Sequence, residues 1–194
     1  MDKEVTDYYD GIAEDFDDRS NKFASDKFRE EISHYIYESD SILDVGCGTG
    51  LMLSRLKAKK KTGIDASAKL LTQTKREGIK LMRGDAEKLP FRNRTFDVVY
   101  SVNLLEHTGH PERVISEAER VLKESGKLIV ITPNGDLSLI LDFIEWLGLK
   151  IPEGKHKFIG KKELFTIIDK TRVMEYKTLV FGLFHYAVVS QWVR

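Results

Sequence analysis

The sequence predicts an α/β fold in which helices cover both faces of an open, doubly wound and mostly parallel sheet. Three observations indicate this fold. Short β-branched strands alternate with amphipathic helices, a glycine-rich turn directly follows the first strand, and two apolar strands flank a glycine near the end of the chain. Strands that alternate with helices form parallel sheets, because each crossover helix packs back onto a sheet face. The last two strands are close enough in sequence to pair antiparallel at the sheet edge.

Length and composition narrow the class of protein. The chain has 194 residues, 41% of them hydrophobic, so we expect one domain with one core. Its 31 basic residues balance 31 acidic residues, which argues against nucleic acid as a partner. The single cysteine, Cys47, excludes an internal disulfide, and the N-terminus lacks a secretory signal, so we expect a cytoplasmic protein. No membrane span is expected, because the most apolar window, Leu137 to Ile151, is short and contains two acidic residues.

Strands and helices alternate through the first half of the chain. Apolar residues at helical spacing predict a helix that ends before the first strand, namely Phe28, Ile32, Tyr35 and Ile36. A second helix follows the glycine-rich turn and carries Leu51 and Leu56. Ser67 is suited to cap the next helix and Gly78 to close it. The predicted strands are Ser41 to Val45, Lys61 to Asp65 and Lys80 to Arg83.

The second half of the chain continues this alternation. Pro111 suits the first turn of a helix, whose inward stripe is predicted to comprise Val114, Ala118, Val121 and Leu122. Gly126 precedes a strand that Pro133 ends, and Gly182 connects the antiparallel pair. The predicted strands are Phe96 to Val102, Lys127 to Thr132, Met174 to Phe181 and Phe184 to Val193.

The glycine-rich turn in ILDVGCGTG, Ile42 to Gly50, is the most informative motif. Three glycines at alternate positions leave the backbone open to a flat nucleoside, although they could also simply form a tight turn. Their G-x-G-x-G spacing differs from the G-x-G-x-x-G fingerprint of dinucleotide sites, which counts against NAD. Asp44, just before the turn, would repel a pyrophosphate and attract an ammonium group. The pattern therefore favours S-adenosylmethionine, whose amino acid part carries such a group.

Two more acidic residues follow later strands. Asp65 ends the second strand, close to the offset of about 20 residues at which an acid meets ribose hydroxyls. Helix capping beside Ser67 is the alternative for this residue. Asp85 follows the third strand and could accept a hydrogen bond from an exocyclic adenine amine, with the backbone of Ala86 beside it. The alternative for Asp85 is an ordinary loop carboxylate.

The ordered series of these segments resembles the class I S-adenosylmethionine-dependent methyltransferases, especially the small-molecule branch with the ubiquinone and menaquinone biosynthesis enzymes. The segments concerned are ILDVGCGTG, GIDASAKLL, GDAEKLPF, FDVVYSVNLLEH and RVLKESGKLIVITPN, and the resemblance runs from about Tyr8 to Leu164. It implies a Rossmann-like, seven-stranded sheet in the order 3-2-1-4-5-7-6, with an antiparallel C-terminal pair. It also implies S-adenosylmethionine as cofactor and S-adenosylhomocysteine as its product.

The resemblance implies roles for single residues as well. Residues 44, 46 and 48 would meet the methionine part, residue 65 the ribose, and residues 70, 85 and 86 the adenine, while residue 101 would approach from the fourth strand. Only the backbone of Cys47 is expected to take part. The predicted cofactor-binding residues are Asp44, Gly46, Cys47, Gly48, Asp65, Ala66, Leu70, Asp85, Ala86 and Ser101.

The flanking segments are expected to form the acceptor side of one methyltransferase domain. Residues 1–40 are predicted to be a helical lid, 41–133 the cofactor-binding core, 134–160 an acceptor-pocket insertion, and 161–194 a helix with the strand pair. Tyr9 and Phe16 in the lid could contact the acceptor or simply bury their rings against the sheet. Phe143 and Trp146 lie off the main apolar stripe of their helix, where they could meet an acceptor, a lipid surface or a partner subunit. Packing into the core is the favoured alternative for this face.

Methyl transfer from a sulfonium is an in-line displacement, so alignment of the acceptor supplies most of the catalysis and no metal is expected. His107 is a candidate base only for an acceptor that must lose a proton, and a structural loop histidine is the favoured alternative. We therefore expect methylation of a small molecule, with an apolar acceptor as one option. A noncatalytic cofactor-binding or partner-binding module and an NAD-dependent oxidoreductase are the alternatives. The sequence gives no indication of oligomeric state.

Overall fold

The computed structural model describes residues 3–73, 77–146, 156–169 and 172–190. It contains a seven-stranded sheet in the order β3-β2-β1-β4-β5-β7-β6. The first five strands run parallel, and β7 pairs antiparallel with both β5 and β6. The predicted fold class, strand order and antiparallel C-terminal pair are therefore confirmed. The strands are β1 (Ser41–Val45), β2 (Lys60–Asp65), β3 (Lys80–Arg83), β4 (Phe96–Val102), β5 (Leu122–Pro133), β6 (Val173–Leu179) and β7 (Phe184–Ser190).

Helices cover both faces of this sheet. They are α1 (Lys3–Gly11), α2 (Phe16–Arg19), α3 (Lys22–Ser33), α4 (Leu51–Arg55), α5 (Ala68–Thr72), α6 (Pro111–Val121), α7 (Ser138–Trp146) and α8 (Lys161–Ile167). Short 3-10 turns span Ala13–Asp15, Leu105–His107 and Gly135–Leu137. In the described part of the chain, no helix is long and apolar enough to span a bilayer.

The hydrophobic core lies in two layers, one on each face of the sheet. On one face, Phe28 and Ile32 of α3 pack with Leu53 of α4 against the sheet. On the other face, Val114 of α6 and Leu164 of α8 belong to the second cluster. Successive residues of a strand point to opposite faces, so the central strands need apolar residues at nearly every position. This requirement explains why these strands could be recognised as uninterrupted apolar runs.

The start of β5 differs from the prediction. Leu122 was expected to complete the inward stripe of a helix, but its backbone is extended and pairs with Phe96 of β4. Gly126 was expected to precede the strand and instead lies within it. A Cβ at Gly126 would lie 2.6 Å from Cγ of Leu122 and 2.9 Å from the carbonyl oxygen of Asp97, so glycine allows a close approach there. The same residue type therefore permits close packing here and does not mark a boundary.

Other element ends also differ. α3 ends at Ser33, before Tyr35 and Ile36, and α5 ends at Thr72, before Gly78. The connection between β6 and β7 is longer than predicted, since Val180 and Phe181 adopt positive φ angles of 51° and 57° beside Gly182. The amide of Leu183 closes this turn on the carbonyl of Val180 at 3.1 Å. The predicted end of the last strand, residues 191–193, lies outside the described residues.

Candidate functional site

A cavity of about 320 Å³ opens at the carboxyl end of the sheet, next to β1. This strand lies between β2 and β4, where the strand order reverses, and ligands of open α/β sheets bind at such a position. The glycine-rich turn and the end of β2 form one end of the cavity, which we call the cofactor end. Residues of α3, α4, α7 and the β6–β7 connection form the other, which we call the outer end.

Two glycines shape the cofactor end. Gly46 and Gly48 have φ angles of 81° and 54°, which residues with side chains rarely adopt. The amides of Gly46 and Cys47 both donate to the carbonyl of Ile64 in β2, at 2.8 and 3.1 Å. A Cβ at Gly48 would lie 3.2 Å from the ring of Phe16. The turn therefore needs glycine both for its backbone conformation and for the close approach of the N-terminal segment.

Asp44 is a buried acid beside this turn, with 4% of its surface exposed. The hydroxyl of Tyr100 donates to its carboxylate at 2.9 Å. Burial raises the pKa of Asp44 to about 7; Tyr100 acts against this rise and the nearby Asp65 adds to it. Within the described part of the chain, no lysine or arginine forms an ion pair with Asp44. A buried carboxylate that lacks a cation fits a ligand that brings a positive charge.

Asp65 lies at the end of β2 and also lines the cavity. Its carboxylate accepts hydrogen bonds from the backbone amides of Gly48 at 2.8 Å and Ser67 at 2.9 Å. Burial raises the pKa of Asp65, while these amides act in the opposite direction. Ser67 caps α5 as predicted, since its hydroxyl accepts from the amide of Leu70 at 3.1 Å. Asp65 thus orders the glycine turn and the start of α5 while facing the cavity.

The N-terminal helices close over the cofactor end. The hydroxyl of Tyr9 lies 3.0 Å from Nε2 of His107, and the Tyr9 ring packs edge-on against the rings of His107 and Phe16. Thr49 donates to the carboxylate of Asp17 at 2.6 Å. The hydroxyl of Ser67 donates to Asp10, as does the amide of Lys69. The N-terminal helices and the ends of the strands therefore meet at this cavity, with Tyr9, Phe16 and His107 in its wall.

The structure brings together only some of the predicted cofactor-binding residues. Those that line the cavity are Asp44, Gly46, Cys47, Gly48, Asp65 and Leu70. Burial raises the pKa of the Cys47 thiol well above its usual range, which disfavours the reactive thiolate and agrees with the expected backbone role.

The remaining predicted residues lie elsewhere. Asp85 is exposed and its carboxylate accepts from the amide of Glu87 at 3.0 Å, while Ala86 is buried in the core. The carbonyl of Ala66 accepts from Arg83 at 3.1 Å. Ser101 is buried in β4, in register with Val45. None of these four residues belongs to the cavity wall.

The sequence analysis expected only residues 134–160 at an acceptor pocket, and the rest of the outer end was not recognised. Its wall includes Phe28 of α3, Leu141 of α7 and Leu183 of the β6–β7 connection. These residues were interpreted as parts of core stripes or a strand connection, because apolar spacing alone does not separate a core face from a cavity wall. Phe143 and Trp146 belong to α7, but their side chains and residues 147–155 lie outside the described part of the structure.

The fold and this site define a class of protein, one with an α/β fold in which a glycine turn and buried acids line a cavity at the carboxyl end of the sheet. The chain belongs to the class I S-adenosylmethionine-dependent methyltransferases, and the family model described as a methyltransferase domain matches residues 43–130. It is therefore a methyltransferase, and the oxidoreductase alternative is set aside. Among described residues, no group of histidine, cysteine and acidic side chains could hold a metal ion.

Several relatives are similar over much of the chain. An uncharacterized protein of Methanocaldococcus jannaschii is 32% identical over 89% of this chain and 71% of its own length. The demethylmenaquinone methyltransferase of Thermotoga maritima is 33% identical over 63% of this chain and 58% of its own. The ubiquinone biosynthesis O-methyltransferase of Photobacterium profundum is 31% identical, with coverages of 69% and 63%. The chain thus spans about three fifths of the length of these two quinone-biosynthesis relatives.

Solved structures share the fold at lower identity. One is the methyltransferase in complex with the Trm112 methyltransferase activator of Haloferax volcanii, with a TM-score of 0.76 and 16% identity over 98% of this chain and 97% of that chain. Another is an S-adenosylmethionine-dependent methyltransferase of Thermotoga maritima, with a TM-score of 0.75 and 18% identity over 97% and 100% of the two chains. Both neighbours share the fold of this chain over nearly its whole length.

Proposed function

We propose that this methyltransferase binds S-adenosylmethionine at the cofactor end of the cavity and methylates a small acceptor with an apolar body at the outer end. The observation that carries the proposal is the continuity of the two ends. Buried acids and a turn whose glycines carry no side chain lie next to an apolar wall. Both belong to one cavity, which the N-terminal helices cover. Such a cavity can align two bound molecules along one line.

The residues present fit the charge of the cofactor. In the proposal, Asp44 pairs with the ammonium group of the methionine part, and the backbone of Gly46, Cys47 and Gly48 lies beside it. Asp65 holds the ribose, because its two amide bonds leave lone pairs on the carboxylate for hydroxyl donors. When bound, the cofactor supplies a methyl group activated by its sulfonium. Leu70 lies in the cavity wall and is proposed to pack near the adenine, whereas Ala66, Asp85, Ala86 and Ser101 lie outside that wall and stay predictions from the family resemblance.

The outer end is proposed to take the acceptor. Its apolar wall would exclude water and orient the body of the acceptor, and such alignment is credited with up to about 7–11 kcal/mol of a barrier. The names of the two quinone-biosynthesis relatives support an acceptor with an apolar ring. Leu141 supports the assignment of residues 134–160 to the acceptor side, together with Phe143 and Trp146 as predicted contacts.

His107 and Tyr9 are proposed to take part in proton transfer from the acceptor. The hydrogen bond between the two side chains holds the imidazole in the cavity wall, and in the proposal an N–H or O–H acceptor gives its proton to the Tyr9 hydroxyl, which passes its own proton to Nε2 of His107. An acceptor without such a proton would leave His107 as a positioning residue for the lid. Residues 1–40 then serve as the lid that completes the site.

Calorimetry with S-adenosylhomocysteine tests the proposal, with NAD as the negative control. We expect micromolar binding of the first ligand and none of the second, and absence of S-adenosylhomocysteine binding at millimolar concentration would overturn the proposal. Mass spectrometry then follows methyl transfer from S-adenosylmethionine to a panel of aromatic acceptors. Because the assay uses this chain alone, turnover would also show that it needs no activator like that of the Haloferax volcanii neighbour. Binding without turnover across the panel would instead favour a noncatalytic module.

A further inference from the structure

Two arginines lie together in the outer end of the cavity. Arg29 belongs to α3, Arg55 is the last residue of α4, and both line the cavity with Asp26. The Asp26 carboxylate is shared between them, with one oxygen 3.4 Å from Nη2 of Arg29 and 3.8 Å from Nη1 of Arg55. The cluster therefore joins the two helices across this end of the cavity.

The single carboxylate of Asp26 neither neutralises the charge of the two arginines nor accepts hydrogen bonds from all of their donors. One carboxylate faces two guanidinium groups, so the cluster keeps a net charge of +1, and both distances are long for hydrogen bonds. Nε of Arg29 is buried and has no hydrogen-bond acceptor among the residues that the structure describes. A buried donor of this kind costs free energy unless a partner is bound. The positive charge of the cluster and its remaining donors therefore suit a second anion.

The two ends of the cavity carry opposite charges. Asp44 and Asp65 lie at the cofactor end, where the positive groups of the cofactor are proposed to bind. Arg29 and Arg55 lie at the outer end. Next to the arginines the wall is apolar, since Phe28 precedes Arg29 in α3 and Met52 lies one turn before Arg55 in α4. A ligand suited to this end combines an apolar body with a negative group.

We infer that Arg29 and Arg55 form a carboxylate-binding subsite that holds an acidic group of the methyl acceptor. The planar guanidinium group donates paired hydrogen bonds that match a carboxylate, and the single Asp26 carboxylate, at 3.4 and 3.8 Å, leaves donors of both groups over for a ligand. This inference rests on the proposed function. The same chemistry occurs in the carboxylate of the cofactor's methionine part, but the separation of charges favours the acceptor. The acceptor class is thus an apolar carboxylic acid.

The test uses 3-phenylpropanoate and its neutral amide as probes, added to the protein saturated with S-adenosylhomocysteine and followed by calorimetry. We expect the carboxylate to bind about tenfold more tightly than the amide. Arg29→Gln and Arg55→Gln should each abolish this preference, and Asp26→Asn should strengthen it by removing the competing carboxylate. Arg94→Gln is the matched control, because Arg94 forms an exposed ion pair with Glu124 outside the cavity.

A second arm identifies the source of the carboxylate. S-adenosylhomocysteine carries the amino acid part, and 5′-methylthioadenosine lacks it. We expect both to bind Arg29→Gln and Arg55→Gln within twofold of wild type. A tenfold loss for S-adenosylhomocysteine alone would assign the arginines to the cofactor and overturn the acceptor subsite. Equal binding of the two phenyl probes would overturn it as well, whereas failure of wild type to bind S-adenosylhomocysteine would overturn the proposed function instead.

Discussion

The cofactor end and the outer end of the cavity are built in different ways. At the cofactor end, the wall is formed mainly by consecutive residues of one turn and by the ends of two neighbouring strands. Two backbone amides donate hydrogen bonds to the carboxylate of Asp65. At the outer end, side chains arrive from helices α3, α4 and α7 and from the β6–β7 connection, which are distant in sequence. The first end depends on local backbone conformation, and the second depends on how separate elements pack. We therefore expect a substitution at one end to leave ligand binding at the other end nearly unchanged.

The sharpest test of this difference is Asp65→Ala. The substitution removes the acceptor of the Gly48 and Ser67 amides together with the proposed ribose contact, so we expect S-adenosylhomocysteine to bind about 100-fold more weakly. Calorimetry measures the change, and probes of the outer end should keep their affinity. Asp85→Ala is the comparison, because Asp85 is exposed outside the cavity wall, and a loss within threefold is expected. A loss as large as that for Asp65→Ala would support the adenine contact predicted from the sequence.

At pH 8, Asp44→Asn should raise the folding stability of the protein and weaken its binding of S-adenosylhomocysteine. Burial raises the pKa of Asp44 from 3.8 to about 7, and this shift corresponds to about 4 kcal/mol of folding stability that the protein has while the group is protonated. This stability is present at low pH and is lost as pH rises through the folded-state pKa. An amide avoids that loss but leaves a buried donor unpaired, at about 2 kcal/mol. We expect the free variant to be about 2 kcal/mol more stable than wild type at pH 8, measured by urea unfolding.

The sign of this stability difference should reverse with pH. At pH 5 wild-type Asp44 is protonated and the advantage of the amide disappears, so the variant should be the less stable protein. The variant should also lose most of its affinity for S-adenosylhomocysteine at pH 8. Equal stability of the two proteins at both pH values would contradict the assignment of a buried, cation-free acid at this position.

Cofactor affinity of the wild-type protein should also depend on pH. Asp44 must be ionised to pair with an ammonium group, and its pKa of about 7 in the free protein means that roughly a tenth is ionised at pH 6 and nine tenths at pH 8. Its titratable neighbours are Tyr100, Asp65 and Cys47, whose pKa values are all raised. We expect affinity for S-adenosylhomocysteine to rise about tenfold between pH 6 and pH 8. Asp44→Asn provides the control, and its affinity should stay flat over this range.

The contrast between the two ends also explains what could be predicted from the sequence. β1, β3 and β4 have the predicted bounds. Strands β1 and β4 stand out because they are mostly buried and rich in apolar residues, whereas β3 is a partly exposed edge strand. Leu122 was misplaced because its apolar side chain suits both a helix stripe and the start of a strand, and only pairing with Phe96 decides between them. The turn at Gly46 and Gly48 was recognisable because its positive φ angles favour glycine.

The outer end had no such local signature. Arg29 lies one residue after a core phenylalanine in α3, and nothing in that helix indicates that Arg55 of α4 lies nearby. Leu141 and Leu183 meet in one wall only after the C-terminal strand pair has packed beside β5. Packing of separate elements supplies this information, so periodicity along the chain cannot reveal it.

The smallest expected effect concerns the lid, which joins the two ends. Tyr9→Phe removes the hydrogen bond to His107 while keeping the ring against Phe16 and His107. A neutral hydrogen bond contributes about 1 kcal/mol, so S-adenosylhomocysteine should bind about fivefold more weakly and dissociate faster in stopped-flow measurements. Tyr37→Phe is the control, because Tyr37 is exposed and outside the cavity wall. Unchanged dissociation in Tyr9→Phe would mean that the lid does not retain the cofactor through this bond, and Phe16 over Gly48 would then be the contact to test.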